Sequence, residues 1–493
     1  MVAAVHADIS LLLDALSAGD EARLIDETIE LLGPGKVPPA HIAARVAIPA
    51  AWGGGDGHPL MVLGAAGKIA EWMRAIPAGP EPGAEQEIRL QPALPLVQGF
   101  MAVADRVRVG LPEPHPDLPP PLTPFEITAP GGALEALREA FTNRDTRRFA
   151  SILMGYYRTG TDYRALMTSL YAVLAHRYTA SDHALIFAVG SARVLDMADW
   201  GVRVPPLIYW LVPLLMTADP DEAFVEPARQ FAATPDHDLA WVAKRLAVAK
   251  EDAAGPALRR AVLAGDTAAA CAAVLAALRA GASTRGVASG LSLAAAERLL
   301  TVAPGDTDSL LRAGHALQYT HAVHRVMRQT QDVAVYPLLY TAAAAVNALR
   351  TASVTALANT APASAPLSGG LIAAALLRSL EQQASQGDAI AALATARRYI
   401  QMGHSPRSLA GVLGNVASQR DARTQGQHTL PLVAAAAEEY LEQPDFGGPS
   451  VTNQPAGQSA LLSAAVRLAS ELPGDTAVAG HVARVIARRL ASA

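Results

Sequence analysis

Apolar residues recur at three- and four-residue intervals along nearly the whole chain. This spacing places them on one face of an α-helix. Stretches in which apolar and polar residues alternate, as they do in half-buried strands, are few. The pattern therefore predicts an all-α protein.

Four stretches of the chain show the same order of elements. In each one a helix ends, an aspartate follows a Gly or an Arg, and a second helix begins. The aspartates are Asp20, Asp145, Asp266 and Asp388, and they are separated by 125, 121 and 122 residues. An aspartate in this place accepts hydrogen bonds from the free N–H groups of the first helical turn, so we expect four N-caps. The spacing indicates four divergent copies of one unit of about 122 residues.

Each predicted copy contains about five helices, and the fifth often begins at a proline. The predicted copies are residues 1–110, 133–253, 254–358 and 371–493, with Pro-rich linkers at 111–132 and 359–370. They are expected to pack as a helical-repeat array or as a pseudo-symmetric bundle. The sequence leaves open whether the copies extend as a solenoid or close around one pocket.

Charge and composition exclude several classes of partner. A net charge of −5 on 17% charged residues offers no basic surface, so we expect no nucleic-acid partner. The longest apolar run, Val204 to Met216, is shorter than a bilayer span and contains prolines, and the N-terminus has no basic segment before its first apolar stretch. We therefore expect a cytoplasmic protein with no membrane partner. The one cysteine, Cys271, lies in an apolar helical pattern and is expected to be buried.

A histidine follows each capping aspartate at a similar distance. His58 and His183 come 38 residues after their aspartates, His428 comes 40 after its own, and His315 comes 49 after. We expect each histidine to begin a helix and "VAPGDTDS", before His315, to form an inserted loop. Two interpretations stay open: the histidines cap their helices or pack in the core, or they meet in a shared cavity and take part in chemistry.

A second group of histidines lies in "HALQYTHAVHRVM". His321 and His324 are three residues apart and share one helix face, whereas His315 lies on another side. Two ligands do not complete a metal site, so His58, His183, His428 or a carboxylate such as Asp182 would have to converge from another copy. No metal is firmly predicted; if one is bound, the expected ligands are His321, His324 and His183. Because Walker A and dinucleotide-binding motifs are missing, no nucleotide cofactor is expected.

These residues also suit chemistry that needs no metal. A partly buried neutral imidazole can take a proton from an activated phenol or enol, and Asp182 or Asp56 could orient such a ring. Aromatic side chains near the histidines in sequence could form a flat apolar pocket. The glycine-rich "WGGGDG" before His58 is expected to be a flexible loop that gates access to it. Ten residues after the histidines come Lys68, Arg193, Arg325 and Glu438, where we expect solvent-reaching helix ends.

The motifs "GDGHPLM", "SDHALIF" and "YTHAVHRVM" resemble segments of the questin-oxidase-like proteins, an all-α group. They also resemble a helical domain that accompanies a Rieske centre in some actinobacterial proteins. The first resemblance implies oxygenation of an aromatic polyketide or quinone without flavin or haem, with His58, His183 and His321 as positions to test and one of them as base. This chain lacks the Cys and His pairs of a Rieske centre, so such a centre would have to be a separate redox partner.

The leading hypothesis from the sequence is an oxygenase-like enzyme that acts on a hydrophobic aromatic small molecule by histidine base chemistry. One alternative is an oxidoreductase with a histidine-ligated metal, and another is a non-catalytic helical-repeat scaffold or small-molecule-binding protein. The expected catalytic residues are His183, His321, His58 and Asp182. The expected substrate-binding residues are His315, His324, Tyr319, Phe187, Trp210, Tyr340 and Trp52.

Overall fold

The computed structural model describes most of the chain, and every regular element in the described part is helical, as the sequence predicts. The described residues are 8–33, 37–78, 83–111, 115–123, 126–127, 129, 131–179, 183–197, 204–216, 220–244, 256–349, 373–423, 426–442 and 456–491. None of these residues lies in a β-strand. Within them, no helix is both long enough and apolar enough to cross a membrane.

The helices are α1 (Ser10–Ala18), α2 (Glu21–Leu32), α3 (Pro39–Ala51), α4 (His58–Met73), α5 (Ala84–Leu90), α6 (Ala93–Val103), α7 (Gly132–Thr142), α8 (Thr146–Arg158), α9 (Tyr163–Leu174), α10 (His183–Met197), α11 (Val204–Leu215), α12 (Val225–Ala233), α13 (Ala240–Ala243), α14 (Pro256–Ala264), α15 (Thr267–Arg279), α16 (Thr284–Leu300), α17 (Thr307–Gln329), α18 (Leu338–Ala348), α19 (Ala373–Ser385), α20 (Ala389–Gln401), α21 (Pro406–Ser418), α22 (Gly426–Glu442), α23 (Ala456–Glu471) and α24 (Ala477–Ala491).

The four spaced aspartates are N-caps, as predicted. Asp20, Asp145, Asp266 and Asp388 cap α2, α8, α15 and α20, and each side chain accepts a hydrogen bond from the backbone N–H three residues on. The N···O distances lie between 2.7 and 3.0 Å. Each cap satisfies a backbone donor that the first helical turn leaves free.

Helices α4, α10, α17 and α22 form a closed ring at the centre of the molecule. Each packs against the next, and α22 packs against α4. The ring helices are rich in Ala, Gly, Val and Leu and bury residues on several faces, as expected of helices surrounded by others. They bring the four spaced histidines to the middle of the fold.

The two ends of the described chain are in contact. Helix α21 packs against α4, and α24 packs against α2 and α6. The His481 ring lies 3.2 Å from the Glu21 carboxylate across this junction. The described helices therefore close on themselves rather than extend as an open solenoid.

Two helix starts differ from the prediction. Helix α17 begins at Thr307, eight residues before His315, because Asp306 caps it by accepting from the Ser309 N–H at 3.1 Å. The expected inserted loop before His315 is therefore partly the first turn of α17. Helix α22 begins at Gly426, two residues before His428, while α4 and α10 begin at His58 and His183 as expected.

The structure also bears on two other predictions. Cys271 is buried, as expected, and burial raises the pKa of its thiol to about 12. The linker predicted at 359–370 lies outside the described residues, as does the joint between the second and third predicted copies.

Candidate metal centre

The four spaced histidines meet at one end of the central ring. His58 Nε2 lies 3.2 Å from His183 Nε2, and His315 Nε2 lies 3.1 Å from His428 Nδ1. The ring centroids of His58 and His428 are 4.7 Å apart, and those of His183 and His315 are 5.2 Å apart. Each ring helix thus contributes one imidazole to a single cluster, although the histidines lie more than 100 residues apart in sequence.

The nitrogen separations of three of the four histidines suit ligands of one metal ion. Ligand atoms of His58, His183 and His428 all lie within 4.8 Å of one another. His315 lies outside this group of three, and its Nε2 is 3.1 Å from His428 Nδ1. Two imidazole nitrogens bound about 2.1 Å from one ion are about 3.0 to 3.4 Å apart at right or tetrahedral angles. The observed 3.1 and 3.2 Å contacts match this spacing. The four rings are half-buried, so solvent and small solutes can approach them.

Asp56 orients the first of these rings. Its carboxylate lies 2.7 Å from His58 Nδ1, and it also accepts from the His58 backbone N–H. Burial opposes ionisation of this carboxyl, but the hydrogen bond and charge of His58 outweigh it and lower the pKa of Asp56 to about 2. A carboxylate on Nδ1 favours the tautomer that leaves the Nε2 lone pair facing the cluster, which is the usual arrangement behind a metal-bound histidine.

Burial keeps two members of the cluster neutral. It lowers the pKa of His315 to about 3, helped by the neighbouring histidines, and lowers the pKa of His428 to about 4. A metal ligand must be deprotonated, so neutral rings at physiological pH are ready to bind an ion.

The glycine-rich loop before His58 is held at three points. Arg106 donates from Nη1 to the carbonyl oxygens of Gly54 and Asp56, at 2.9 and 2.8 Å. A Cβ at Gly53 would lie 2.2 Å from the Arg106 carbonyl oxygen, and one at Gly57 would lie 2.4 Å from the Phe187 ring. These contacts fix the position of Asp56, whereas the sequence led us to expect a flexible gating loop.

Two of the expected substrate-binding aromatic residues lie beside the cluster. The Phe187 ring stacks on His183 at 5.4 Å and meets His58 edge-on at 5.5 Å, and Trp210 packs behind Phe187 at 6.1 Å. A cleft of about 640 Å³ opens next to Asp56, with Leu16, Leu24, Pro59 and Met101 among its walls. Its volume is typical of a site for a drug-sized molecule.

His321 and His324 belong to a second, buried group deeper in the ring. Both rings point Nδ1 at one oxygen of the fully buried Glu439, at 2.8 and 2.9 Å. His321 Nε2 lies 3.2 Å from Glu438. Burial opposes protonation of His321, but the two carboxylates outweigh it and raise its pKa.

The positions ten residues after the four histidines also converge, which corrects the expectation of solvent-reaching helix ends. Lys68 lies 3.6 Å and Arg325 2.7 Å from Glu438, and Arg193 pairs with the same carboxylate. The Glu438 side chain is only 2% exposed. Burial opposes its ionisation, but Arg193, His321 and Arg325 hold its pKa well below the usual range. Three cations from three ring helices thus surround one carboxylate from the fourth.

A second metal ion in this deeper group is disfavoured by charge. His324, Glu439 and Glu442 are close enough together to share an ion. However, four carboxylates here, Glu438, Glu439, Glu442 and Asp196, already lie among four cations, Lys68, Arg193, Arg325 and Arg328. A divalent ion would add positive charge to a buried group in which carboxylates and cations already match in number. We interpret this group as an ion-pair network.

The other expected site residues lie apart from the four-histidine cluster. Trp52 stacks on His115 at 4.6 Å, and Tyr319 packs edge-on against Tyr178 at 4.8 Å. Tyr340 donates from its hydroxyl to the His237 carbonyl oxygen at 2.7 Å. Asp182 lies outside the described residues. The three metal ligands expected from the sequence do not come together. His183 lies in the four-histidine cluster, whereas His321 and His324 contact Glu439.

Sequence reasoning placed His428 in the repeat but not among the expected site residues. Its spacing of 40 residues from Asp388 is the signal that could have included it. The sequence pattern led us to expect Glu438 at a solvent-reaching helix end, and it gave no signal for Glu439. Comparison with protein-family models, curated proteins and solved structures found no match to this chain.

Proposed function

We propose that His58, His183, His315 and His428 bind one divalent transition-metal ion and that the protein is a metal-dependent oxidoreductase of the oxygenase type. The observation that carries this proposal is the convergence of four imidazoles, one from each ring helix, with nitrogen contacts of 3.1 and 3.2 Å. Imidazole ligands suit zinc, copper, iron and nickel.

The arrangement favours a catalytic ion over a structural one. A structural site is closed and usually tetrahedral, whereas a catalytic site keeps positions free. Four imidazoles from a helix ring would leave room for dioxygen or substrate at a bound ion that accepts more than four ligands. All four rings are half-buried, whereas a closed structural site would bury its ligands.

The proposed substrate is an apolar aromatic small molecule of the polyketide or quinone type. The Phe187 ring beside His58 and His183 provides a flat apolar surface at the ion. The cleft beside Asp56 and Pro59 has the volume for such a molecule and leads to the residues that flank His58. The resemblance of the histidine motifs to questin-oxidase-like proteins points to the same substrate class.

We further propose that the ring is built from four copies of one unit. Each unit would contribute a helix before the capping aspartate, a helix after it, a third helix, a histidine helix and a closing helix. In chain order the histidine helices are α4, α10, α17 and α22, and the third helices are α3, α9, α16 and α21. Each third helix packs against the histidine helix of the next unit, and α21 returns to α4. This cyclic pattern supports pseudo-fourfold symmetry.

A metal-free base mechanism is the second candidate, and the 2.7 Å contact between Asp56 and His58 Nδ1 favours it. Elemental analysis of the purified protein separates the two. We expect about one transition-metal ion per chain in the native protein and clearly less in His428→Ala. His41→Ala, which replaces an exposed histidine outside the cluster, should keep the native metal content. A folded chain with no metal uptake from Fe(II), Co(II) or Zn(II) would leave only the metal-free mechanism or a non-catalytic role.

A further inference from the structure

A small cavity lies on the axis of the ring, between the four histidines and the buried ion pairs. Its volume is about 30 Å³, and all four ring helices line it. The lining residues are Met61, Gly64, Ala65, Ile186, Val189, Gly190, Arg193, Gln318, His321, Ala322, Pro431 and Ala435. The residues three and seven positions after each of the four histidines line the cavity. Because a helix rises about 1.5 Å per residue, the cavity lies about 5 to 10 Å below the layer of histidines.

The cavity exists because one layer of the ring has small side chains. The residues seven positions after the four histidines are Ala65, Gly190, Ala322 and Ala435. A Cβ at Gly190 would lie 2.1 Å from the Met61 Sδ, so a larger residue there would displace Met61. The histidine layer above and the Glu438 layer below are both filled by large side chains.

The lining favours an apolar occupant over water. Nine of the twelve lining residues are apolar. Arg193 Nη2 lies against Glu438 and His321, and both His321 ring nitrogens face carboxylates. A trapped water would have Arg193 Nε and the half-buried Gln318 amide to bond, at the low end of the two to four hydrogen bonds that a buried water makes. Apolar cavities bind small gases such as xenon.

We propose that this axial cavity is a binding site for one dioxygen molecule, held directly beneath the four-histidine centre. The inference rests on the proposed function, since dioxygen is the apolar diatomic that an oxygenase consumes. A gas molecule there would lie within the ring, close to the ion that it has to reach.

Xenon is a suitable probe because its binding in the cavity does not require a bound metal. In crystals of the metal-free protein under xenon pressure we expect one xenon atom among Ala65, Gly190, Ala322 and Ala435. Ala435→Val should fill the cavity and abolish this site. Ala436→Val should keep it, because Ala436 is equally buried on the same helix but does not line the cavity. If Ala435→Val fails to fold, Ala65→Val fills the same space.

A second measurement tests whether the gas that uses the cavity is dioxygen. With Fe(II) bound, oxidation by dissolved dioxygen should be slower in Ala435→Val than in Ala436→Val. No xenon in the native cavity, an ordered water that xenon does not displace, or equal oxidation rates in the two variants would each overturn the proposal. Xenon binding in a chain that takes up no iron would instead overturn the proposed function and leave the gas site standing.

Discussion

His58 Nε2 and His183 Nε2 lie 3.2 Å apart, although 125 residues separate them in the chain. Two unprotonated imidazole nitrogens facing each other repel, so this approach is stable when a proton or a metal ion lies between them. The same holds for His315 and His428, whose facing nitrogens are 3.1 Å apart. This repulsion and the buried charges around Glu438 determine how the variants described next should behave.

Replacing Asp56 should weaken metal binding without removing it. In the native protein the Asp56 carboxylate orients His58 through Nδ1, and its charge raises the basicity of the ring. Asp56→Asn loses this charge. Loss of such an orienting partner typically reduces metal affinity by roughly 10- to 100-fold. Isothermal titration with Co(II) measures the effect, with Asp117→Asn, an exposed aspartate, as the control. An unchanged affinity in Asp56→Asn would show that His58 is not a ligand or does not need this partner.

Replacing Glu438 should destabilise the fold strongly. Glu438→Gln leaves Lys68, Arg193 and Arg325 facing one another around a neutral side chain. Removing one partner of a buried ion pair costs about 3 to 5 kcal/mol, whereas an exposed pair contributes about 1 kcal/mol or less. In urea unfolding, the free energy of unfolding should therefore fall much more in Glu438→Gln than in Glu30→Gln, which breaks an exposed pair with Arg489. Equal losses of unfolding free energy would contradict a buried charge layer.

Acid should destabilise the metal-free protein below pH 6.5. Since the folded-state pKa values of His315 and His428 are lowered to about 3 and about 4, the unfolded chain binds more protons than the folded one between pH 6.5 and about 4. Stability is complete above this interval and falls as the pH falls through it. His321 acts in the opposite sense, because its raised pKa stabilises the fold below pH 6.5 and this contribution is lost as the pH rises through the folded-state value.

Thermal unfolding of the metal-free protein at pH 7.5, 5.5 and 4.5 measures this dependence. The melting temperature should fall with pH in the native protein, and less steeply in His315→Asn and His428→Asn. His41→Asn, at an exposed position, should follow the native curve. Identical slopes for all four proteins would mean that the cluster is not the source of the acid sensitivity.

His321 should support activity through Glu438 and Glu439 rather than as a metal ligand. His321→Gln keeps a hydrogen-bonding group against the two carboxylates but cannot be protonated. We expect metal content to stay at the native level while the pH profile of turnover, or of Fe(II) oxidation, shifts. Loss of the metal in His321→Gln would place this histidine among the ligands instead.

The sequence predicts the helices and the four caps because both depend on local patterns. The aspartate and histidine spacings also group His58, His183, His315 and His428 as one set of residues to examine. Ring closure was not predictable, since it depends on packing between α22 and α4, which lie more than 350 residues apart in the chain.

The buried charges around Glu438 were not predictable from the sequence for a similar reason. Lys68, Arg193, Arg325 and Glu438 occupy equivalent positions ten residues after the histidines, but a charged residue at a helix position is usually solvated. Only the closed ring brings three cations and one carboxylate together. The start of α17 was not predicted because the composition of "GDTDS" is typical of a loop. In the structure Asp306 of this segment is the N-cap, and the helix begins at the next residue.

X-ray absorption of the Fe(II)- or Co(II)-loaded protein shows whether four imidazoles bind one metal ion. We expect a first shell of nitrogen and oxygen atoms at about 2.0 to 2.2 Å. We also expect the multiple-scattering pattern of about four imidazoles, reduced by one in His183→Ala and unchanged in His324→Ala. A shell without imidazole scattering, or one that loses an imidazole in His324→Ala but not in His183→Ala, would contradict this coordination.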